Sequence, residues 1–259
     1  MKPQNCLSVV CWRWGTKYPA GIVNCLYSMV KRHLHIPFNF YCITDDSLGL
    51  NRDIRVVTWP FEYAGRARRL KIFDKSVQGQ LGPRILQLDL DCVITGDITP
   101  LVDRKEPLVV WQSVHNTRWV VGMRAEGYEG GAMVNNIAPR SNPYNASFIL
   151  MDAGVFPALW DEYTVNPGAT EMFAKRAGYW TAIVKEGLGV MLEPGDDDQA
   201  VFTLYAKELN PATVGESEGI YKYKRIKPGL PADARLVFFQ GRDIMDYVSQ
   251  SPWILEHYQ

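Results

Sequence analysis

The chain has 259 residues, of which 47% are hydrophobic and 22% are charged, so it can form one large α/β domain or two small ones. Its 28 lysines and arginines balance its 28 aspartates and glutamates. This balance excludes a strong overall field for nucleic acid or for an anionic membrane, so we expect no nucleic-acid partner and only locally held anionic ligands.

No part of the sequence predicts export or membrane insertion. The start, MKPQNCLSVVCWRWG, lacks the pattern of a leader, and no uninterrupted apolar stretch reaches about 20 residues. We therefore expect a soluble, cytoplasmic protein with no transmembrane segment. The cysteines lack CxxC spacing, which disfavours a disulfide framework and a zinc site and indicates small buried residues. They are Cys6, Cys11, Cys25, Cys42 and Cys92.

Strand-like and helix-like segments alternate in the first half of the chain. CLSVVCW predicts a strand, and AGIVNCLYSMVKRHL predicts an amphipathic helix because Ile22, Leu26 and Met29 recur at helical spacing. FNFYCIT and IRVVTW predict two strands, AGRARRLKIFDKSV predicts a second helix, and RILQLDLDCVI predicts the most continuous strand. The order β-α-β-β-α-β predicts an α/β fold with a mixed, mostly parallel sheet and helices on both faces.

The second half is less regular and richer in Gly and Pro. PLVVWQSV and ASFILMDAGVF predict strands, VFPALWDEY and EMFAKRAGYW have partial helical character, and DDDQAVFTLYA looks like a helix start. There is no internal repeat, long linker or clear boundary. A single domain over residues 1–259, with long functional loops in its second half, is the simplest interpretation.

The stretch RILQLDLDCVITGDITPL, residues 84–101, carries aspartates in an apolar strand. Asp89 and Asp91 point to the same side if the strand is regular through both. Burying an unpaired carboxylate costs several kcal/mol, so the two must be solvated, paired or bound to a cation. At the carboxyl end of a strand they predict a Mg²⁺ or Mn²⁺ site that substrate phosphates complete. Alternatively, they cap the following turn or pair with nearby arginines.

Several segments resemble nucleotide-sugar-dependent glycosyltransferases of the GT-A fold, near the glycogenin-like group and related bacterial transferases. LQLDLDCVITGDITPL resembles the D-x-D segment of that family. CWRWGTKYPAGIVNCLYSMVKRHL with FNFYCITDD resembles its first β-α-β unit, and RRLKIF its basic helix. PYNASFILMDAG resembles its acceptor-side strand, and GDDDQAVF its Gly-Asp-Gln segment. The resemblance covers most of the first two hundred residues and implies a nucleotide-binding half, 1–101, and an acceptor-side half, 102–259.

The resemblance implies transfer of a sugar from a nucleoside diphosphate sugar, most often a UDP-sugar, to a hydroxyl of a glycan, a lipid-linked glycan or a protein. It implies that Asp89 and Asp91 bind the ribose and a Mn²⁺ or Mg²⁺ ion. Such an ion stabilises the charge that grows on the diphosphate leaving group.

The resemblance also assigns donor-side residues. Arg69, in RRLKIF, is implied to contact a phosphate or the sugar, which suits a guanidinium; it equally suits the solvated face of a helix. Cys11, Trp12 and Tyr18 are implied to line the nucleotide pocket, with an aromatic ring available for the base. Trp12 suits the core equally well.

Acceptor-side residues are assigned in the same way. Asp198 and Gln199 are implied to lie near the transferred sugar, where a carboxylate binds the sugar or acts as general base. Three consecutive aspartates also suit a turn or a helix N-cap. Asn145 is a further candidate on the sugar or acceptor side.

One departure concerns the metal. Glycogenin-like members have a third ligand, a histidine three residues before a glycine, and Phe238 stands at that position here. We expect Gln240, Asp243 or water to complete the shell.

Two other functions remain open. LDLDCVITGD also resembles the motif of haloacid-dehalogenase-type phosphatases, in which the first aspartate is the nucleophile. In those enzymes the motif lies on the first strand, whereas here about eighty residues precede it. The missing histidine also fits a non-catalytic protein of the same fold that binds a sugar or nucleotide.

Overall fold

The computed structural model describes residues 6–59, 65–112, 144–176, 183–185, 189–191, 198–227, 229–239 and 243–259. Its strands are β1 (Leu7–Arg13), β2 (Phe38–Thr44), β3 (Arg55–Val57), β4 (Arg84–Leu88), β5 (Cys92–Ile94), β6 (Leu108–Gln112), β7 (Tyr144–Asp152), β8 (Ile183–Lys185), β9 (Gly189–Met191), β10 (Ala212–Val214), β11 (Ile220–Lys222) and β12 (Leu236–Phe238).

The α-helices of the described residues are α1 (Ala20–His33), α2 (Lys75–Leu81), α3 (Thr99–Val102), α4 (Leu159–Val165), α5 (Pro167–Arg176), α6 (Asp198–Ala206), α7 (Tyr223–Ile226) and α8 (Trp253–His257). Short 3-10 helices cover Gly65–Phe73, Lys207–Leu209, Glu216–Glu218 and Ile244–Tyr247. None of these helices is long and apolar enough to cross a membrane.

The main sheet has seven strands in the order β10-β6-β7-β4-β1-β2-β3. All of them run in one direction except β7, which is antiparallel to both β4 and β6. A further sheet has the order β11-β12-β5, and β8 and β9 form a hairpin. The predicted α/β fold with a mixed, mostly parallel sheet is confirmed.

Both faces of the main sheet are buried, which explains why its central strands read as continuous apolar runs. On β1, Val9 faces a core that it shares with Leu26 of α1. Val10, the next residue, faces a second core that it shares with Val77 of α2 and Phe202 of α6. Helices therefore cover both faces, as the sequence predicts.

The segment RILQLDLDCVI is not one strand, contrary to the sequence interpretation. β4 ends at Leu88, the chain bends at Leu90 and Asp91, and β5 then pairs with β12 in the other sheet. The regular strand that would place Asp89 and Asp91 on one side is therefore absent. The break lets the two carboxylates leave the buried sheet, where they would lack polar partners.

The predicted helix over AGRARRLKIFDKSV is also two elements. The 3-10 helix over Gly65–Phe73 ends before α2, which starts after Asp74. The Asp74 carboxylate accepts a hydrogen bond of 2.8 Å from the Ser76 amide, the standard way in which aspartate caps a helix start.

The two ends of the chain meet on one face of the main sheet. β5 pairs with β12, and the Arg32 guanidinium at the end of α1 donates hydrogen bonds to the carbonyls of His257 and Gln259. The first hundred residues and the last forty thus share one packed core.

Candidate functional site

The candidate site lies at the point in the main sheet where the order of the strands reverses. From β1 the chain proceeds to β2 on one side, while β4 lies on the other, so the carboxyl ends of β1 and β4 flank a switch point. Ligands of open α/β sheets bind in the crevice at such a point. A cavity of about 170 Å³ opens here, and we call it the switch-point cavity. Its lining includes Lys17 and Tyr18 after β1, Asp91 after β4, and Asp243 and Tyr258 from the C-terminal segment.

Asp89 is held by hydrogen bonds on both of its carboxylate oxygens. Oδ1 forms an ion pair with Nη1 of Arg69, and Oδ2 accepts a hydrogen bond of 2.6 Å from Oγ of Ser147. The Asp89 amide donates to the Ser147 carbonyl at 3.0 Å. The position of Asp89 is therefore fixed by the protein itself.

Arg69 joins Asp89 to Asp198. Its Nε lies 2.6 Å from Oδ2 of Asp198, and the side chains of Arg69 and Asp198 are only 11% and 5% exposed. Burial alone would lower the pKa of Arg69, but Asp198 and Asp89 outweigh it and raise that pKa. Burial raises the pKa of Asp198, and the positive charges of Arg69 and Arg66 only partly oppose this. The geometry thus brings together three of the predicted site residues.

Regular pairing with β4 brings Ser147 of β7 to Asp89, because Leu88 lies opposite Phe148 and Asp89 with Ser147 is the next pair. A bulge interrupts the other edge of β7. The pairing of β6 with β7 shifts between Val110 and Trp111, so that Val110 lies opposite Ile149 but Trp111 lies opposite Asn145. Asn145 is buried, and its Oδ1 accepts a hydrogen bond of 2.9 Å from the Ser147 amide. Asn145 therefore shapes the turn that presents Ser147.

Ser147 is the residue that sequence reasoning missed. Its signal is the Asn-x-Ser spacing, because an Asn side chain readily binds the backbone two residues later and interrupts regular strand pairing. The apolar alternation of ASFILMD concealed that interruption.

Asp91 faces the switch-point cavity. Its carbonyl accepts a hydrogen bond of 2.8 Å from the Phe239 amide, which ties the bend after β4 to the end of β12. Tyr18 lines the same cavity, and burial together with the charges of Asp91 and Asp89 raises the pKa of its phenol. The cavity therefore combines an aromatic ring, a lysine and carboxylates.

The remaining predicted residues lie elsewhere. Cys11 and Trp12 are buried in the cores on opposite faces of β1. Burial raises the pKa of the Cys11 thiol, and Nε1 of Trp12 donates to Oε1 of Gln87 at 3.0 Å. Gln199 is half-buried on α6 beside Asp198, whereas Gln240 lies outside the described residues.

The structure brings together only part of the predicted ligand set for a divalent cation. Within the described ranges, no group of three or more His, Cys, Asp or Glu side chains could hold a metal ion. Asp89 lies outside the lining of the switch-point cavity, and its carboxylate is paired with Arg69 and Ser147. Asp91 and Asp243 both line the cavity, and Mg²⁺ is commonly bound by one or two carboxylates together with substrate phosphates.

Phe238, at the position where the resemblance implies a histidine, packs instead of binding. Its side chain is 1% exposed and stacks on Trp111 with ring centroids 4.6 Å apart.

Comparison of the sequence with protein-family models finds no family that matches, and comparison with curated proteins finds no match. Function is therefore inferred from the geometry of the site.

Proposed function

We propose that the protein is a metal-dependent glycosyltransferase that moves a sugar from a nucleoside diphosphate sugar, a UDP-sugar for preference, to a hydroxyl of a glycan, a lipid-linked glycan or a protein. The observation that carries the proposal is the position of Asp91 and Tyr18. They line one cavity at the switch point of a mostly parallel sheet, in the segments that follow β4 and β1. The resemblance of five sequence segments to GT-A enzymes supports the same reaction.

In this proposal the switch-point cavity receives the donor. The Tyr18 ring would contact the base, and the Lys17 ammonium, whose Nζ lies 4.7 Å from the centroid of that ring, would contact the diphosphate. Asp91 and Asp243 would hold Mn²⁺ or Mg²⁺, which when bound stabilises the negative charge of the departing diphosphate.

The buried ion pairs of Arg69 hold the residues next to this cavity in place. Arg69 and Ser147 fix Asp89, so the bend that carries Asp91 keeps its place. Asp198 and Gln199 begin α6 on the other side of Arg69 and are our candidates for the sugar contact. Preorganised groups of this kind need no rearrangement during the reaction.

The phosphatase alternative is disfavoured by the surroundings of Asp89. A nucleophilic carboxylate needs an oxygen that is open to the substrate, whereas Asp89 lies outside the lining of the switch-point cavity and is paired with Arg69, whose side chain is only 11% exposed. Asp89 also follows the fourth strand of the chain and not the first.

The test is release of nucleoside diphosphate from a panel of nucleotide sugars, with and without Mn²⁺. We expect Asp91→Asn to lower metal-dependent release by about 100-fold, or about 2.7 kcal/mol, because it removes a cation ligand. Asp103→Asn is the matched control, since Asp103 is exposed after α3 and outside the cavity. Its activity should stay within about twofold of the wild type.

Three other outcomes would favour a different function or a different assignment of Asp91. Full activity in Asp91→Asn would contradict the assignment. Donor binding that raises the melting temperature without any release would indicate the non-catalytic binder. Stable phosphorylation of Asp89 by an acyl phosphate would revive the phosphatase.

A further inference from the structure

A second and larger cavity, of about 370 Å³, lies at the carboxyl ends of β6 and β10, and we call it the β6–β10 cavity. These strands run parallel to each other and in the same direction as β4 and β1. The cavity therefore opens on the edge of the sheet that carries Asp89 and Asp91. Trp111, Glu216, Lys222 and Arg225 are among its lining residues.

Lys222 carries an ammonium that forms no ion pair within the described residues. Its Nζ lies 5.6 Å from the centroid of the Trp111 ring, and across the described ranges it makes no hydrogen bond and no ion pair. Burial, with the positive charges of Arg225 and Lys224, lowers the pKa of Lys222 to about 8. A partly desolvated cation of this kind is stabilised by an anionic ligand.

The carboxylates beside Lys222 have other partners. Oε1 of Glu216 lies 2.6 Å from Nη1 of Arg225. Oε2 of Glu218 accepts hydrogen bonds from the Gly215 amide at 2.7 Å and from the Ser217 hydroxyl at 2.9 Å. These bonds engage both carboxylates, and Glu216 only partly offsets the positive charge of Lys222.

The β6–β10 cavity is close to the bend that carries Asp91. Lys222 lies opposite Phe238, and Phe238 lies opposite Cys92, the residue after Asp91. Two inter-strand spacings of about 4.8 Å separate Lys222 from Cys92, or roughly 10 Å. A molecule of oligosaccharide size can therefore reach both places.

We propose that the β6–β10 cavity binds an anionic group of the acceptor, a phosphate or a carboxylate carried on a sugar, through Lys222 and Arg225. The word acceptor rests on the proposed transferase function, whereas the anion site itself does not.

The test is isothermal titration with glucose 6-phosphate, glucuronate and methyl glucoside at about pH 7, where Lys222 is protonated. We expect one or both anions to bind and the neutral sugar not to bind. Lys222→Met should weaken anion binding by at least about tenfold, as for loss of a hydrogen bond to a charged group. Lys224→Met is the matched control, since it removes the same charge from an exposed neighbour, and should change binding by less than about threefold.

Several results would overturn the proposal: no binding of either anion to the wild type, equal binding of the neutral sugar, or unchanged affinity in Lys222→Met. Nucleotide-sugar turnover by the wild type separates this proposal from the transferase. Anion binding by a wild-type protein that turns over no nucleotide sugar retains the anion site and rejects the transferase. Turnover without anion binding does the reverse.

Discussion

At the residue scale, the buried part of the candidate site depends on one cation. The Arg69 guanidinium contacts both Asp89 and Asp198, and all three groups are largely withdrawn from water. A buried ion pair contributes little to the free energy of unfolding compared with apolar packing. Removal of one partner, however, leaves the other as a buried, uncompensated charge. The arrangement therefore makes Arg69 costly to replace, whatever the protein binds.

We predict that Arg69→Met lowers the free energy of unfolding by about 3–5 kcal/mol, because Asp198 would remain buried without its partner. Urea denaturation measures the change. Arg225→Met is the control, since its ion pair with Glu216 is about half exposed on both sides and should contribute less than about 1 kcal/mol.

The loss of stability in Arg69→Met should depend on pH, and the sign of that dependence can be predicted. Burial already raises the pKa of Asp198, and loss of Arg69 raises it further. A carboxyl whose folded pKa exceeds the unfolded one contributes stability at low pH and loses it as pH rises through the folded value. The deficit of Arg69→Met should therefore shrink as the pH falls towards about 5; a deficit that is constant with pH would contradict this account.

Lys222 makes the free energy of unfolding depend on pH with the opposite sign. Its pKa is about 8 in the folded protein against an ordinary 10.5, so between these values the unfolded chain binds more protons and stability rises with pH. Arg225 and Lys224 contribute to the shift, and Glu216 opposes it. We predict that Lys222→Met removes this rise and is more stable than the wild type below pH 8, in urea titrations across the range. Lys224→Met should keep the rise, and a wild-type curve without it would contradict the prediction.

At the scale of elements, the register of β7 against β4 places a hydroxyl against Asp89, and the bulge lies on the β6 side of β7. Asn145 holds the turn, and Ser147 supplies both its carbonyl and its Oγ to Asp89. Asp89 and Ser147 follow the pair Leu88–Phe148 in the antiparallel ladder, so their side chains lie on the same side of the sheet.

We predict that Ser147→Ala lowers nucleoside diphosphate release about tenfold and the free energy of unfolding by about 1 kcal/mol, since Asp89 loses one hydrogen bond. Asn145→Ala should have a similar effect on release by loosening the same turn. Ser147→Thr keeps the hydroxyl and should retain most activity. Equal losses in the Ala and Thr variants would show that Ser147 acts through packing alone.

The sequence predicts elements well where the signal is local. The strand predicted at FNFYCIT is β2 over Phe38–Thr44, and the helix over AGIVNCLYSMVKRHL is α1. The sequence-based prediction fails at RILQLDLDCVI because β5 forms a separate strand by pairing with β12, which lies more than a hundred residues away. The same holds for the site: Asp89 and Asp91 are visible as carboxylates in the sequence, whereas Ser147, which contacts Asp89, and Asp243, which lines the same cavity as Asp91, come from distant segments.

At the scale of the whole molecule, the division at residue 101 does not separate two folding units. β4 has β1 on one side and β7 on the other, while β5 pairs with β12. The switch-point cavity likewise combines Tyr18 with Asp243 and Tyr258. A candidate donor site thus needs residues from both ends of the chain.

We predict that residues 1–101 alone do not fold. They would lose the partner of β4 on one edge and leave β5, whose three residues are fully buried, without β12. An exposed apolar edge of this kind favours aggregation. Circular dichroism should show no cooperative thermal transition for this fragment, and co-expression with residues 102–259 should restore one. A cooperative transition in the isolated fragment would show that the first hundred residues are an independent domain, and that the second sheet docks onto it without being needed for its folding.

In the intact chain, Val237→Asp should destabilise the same contact by several kcal/mol, because it buries a charge opposite Val93. The exposed Asp103→Asn should leave the thermal transition of the intact chain unchanged.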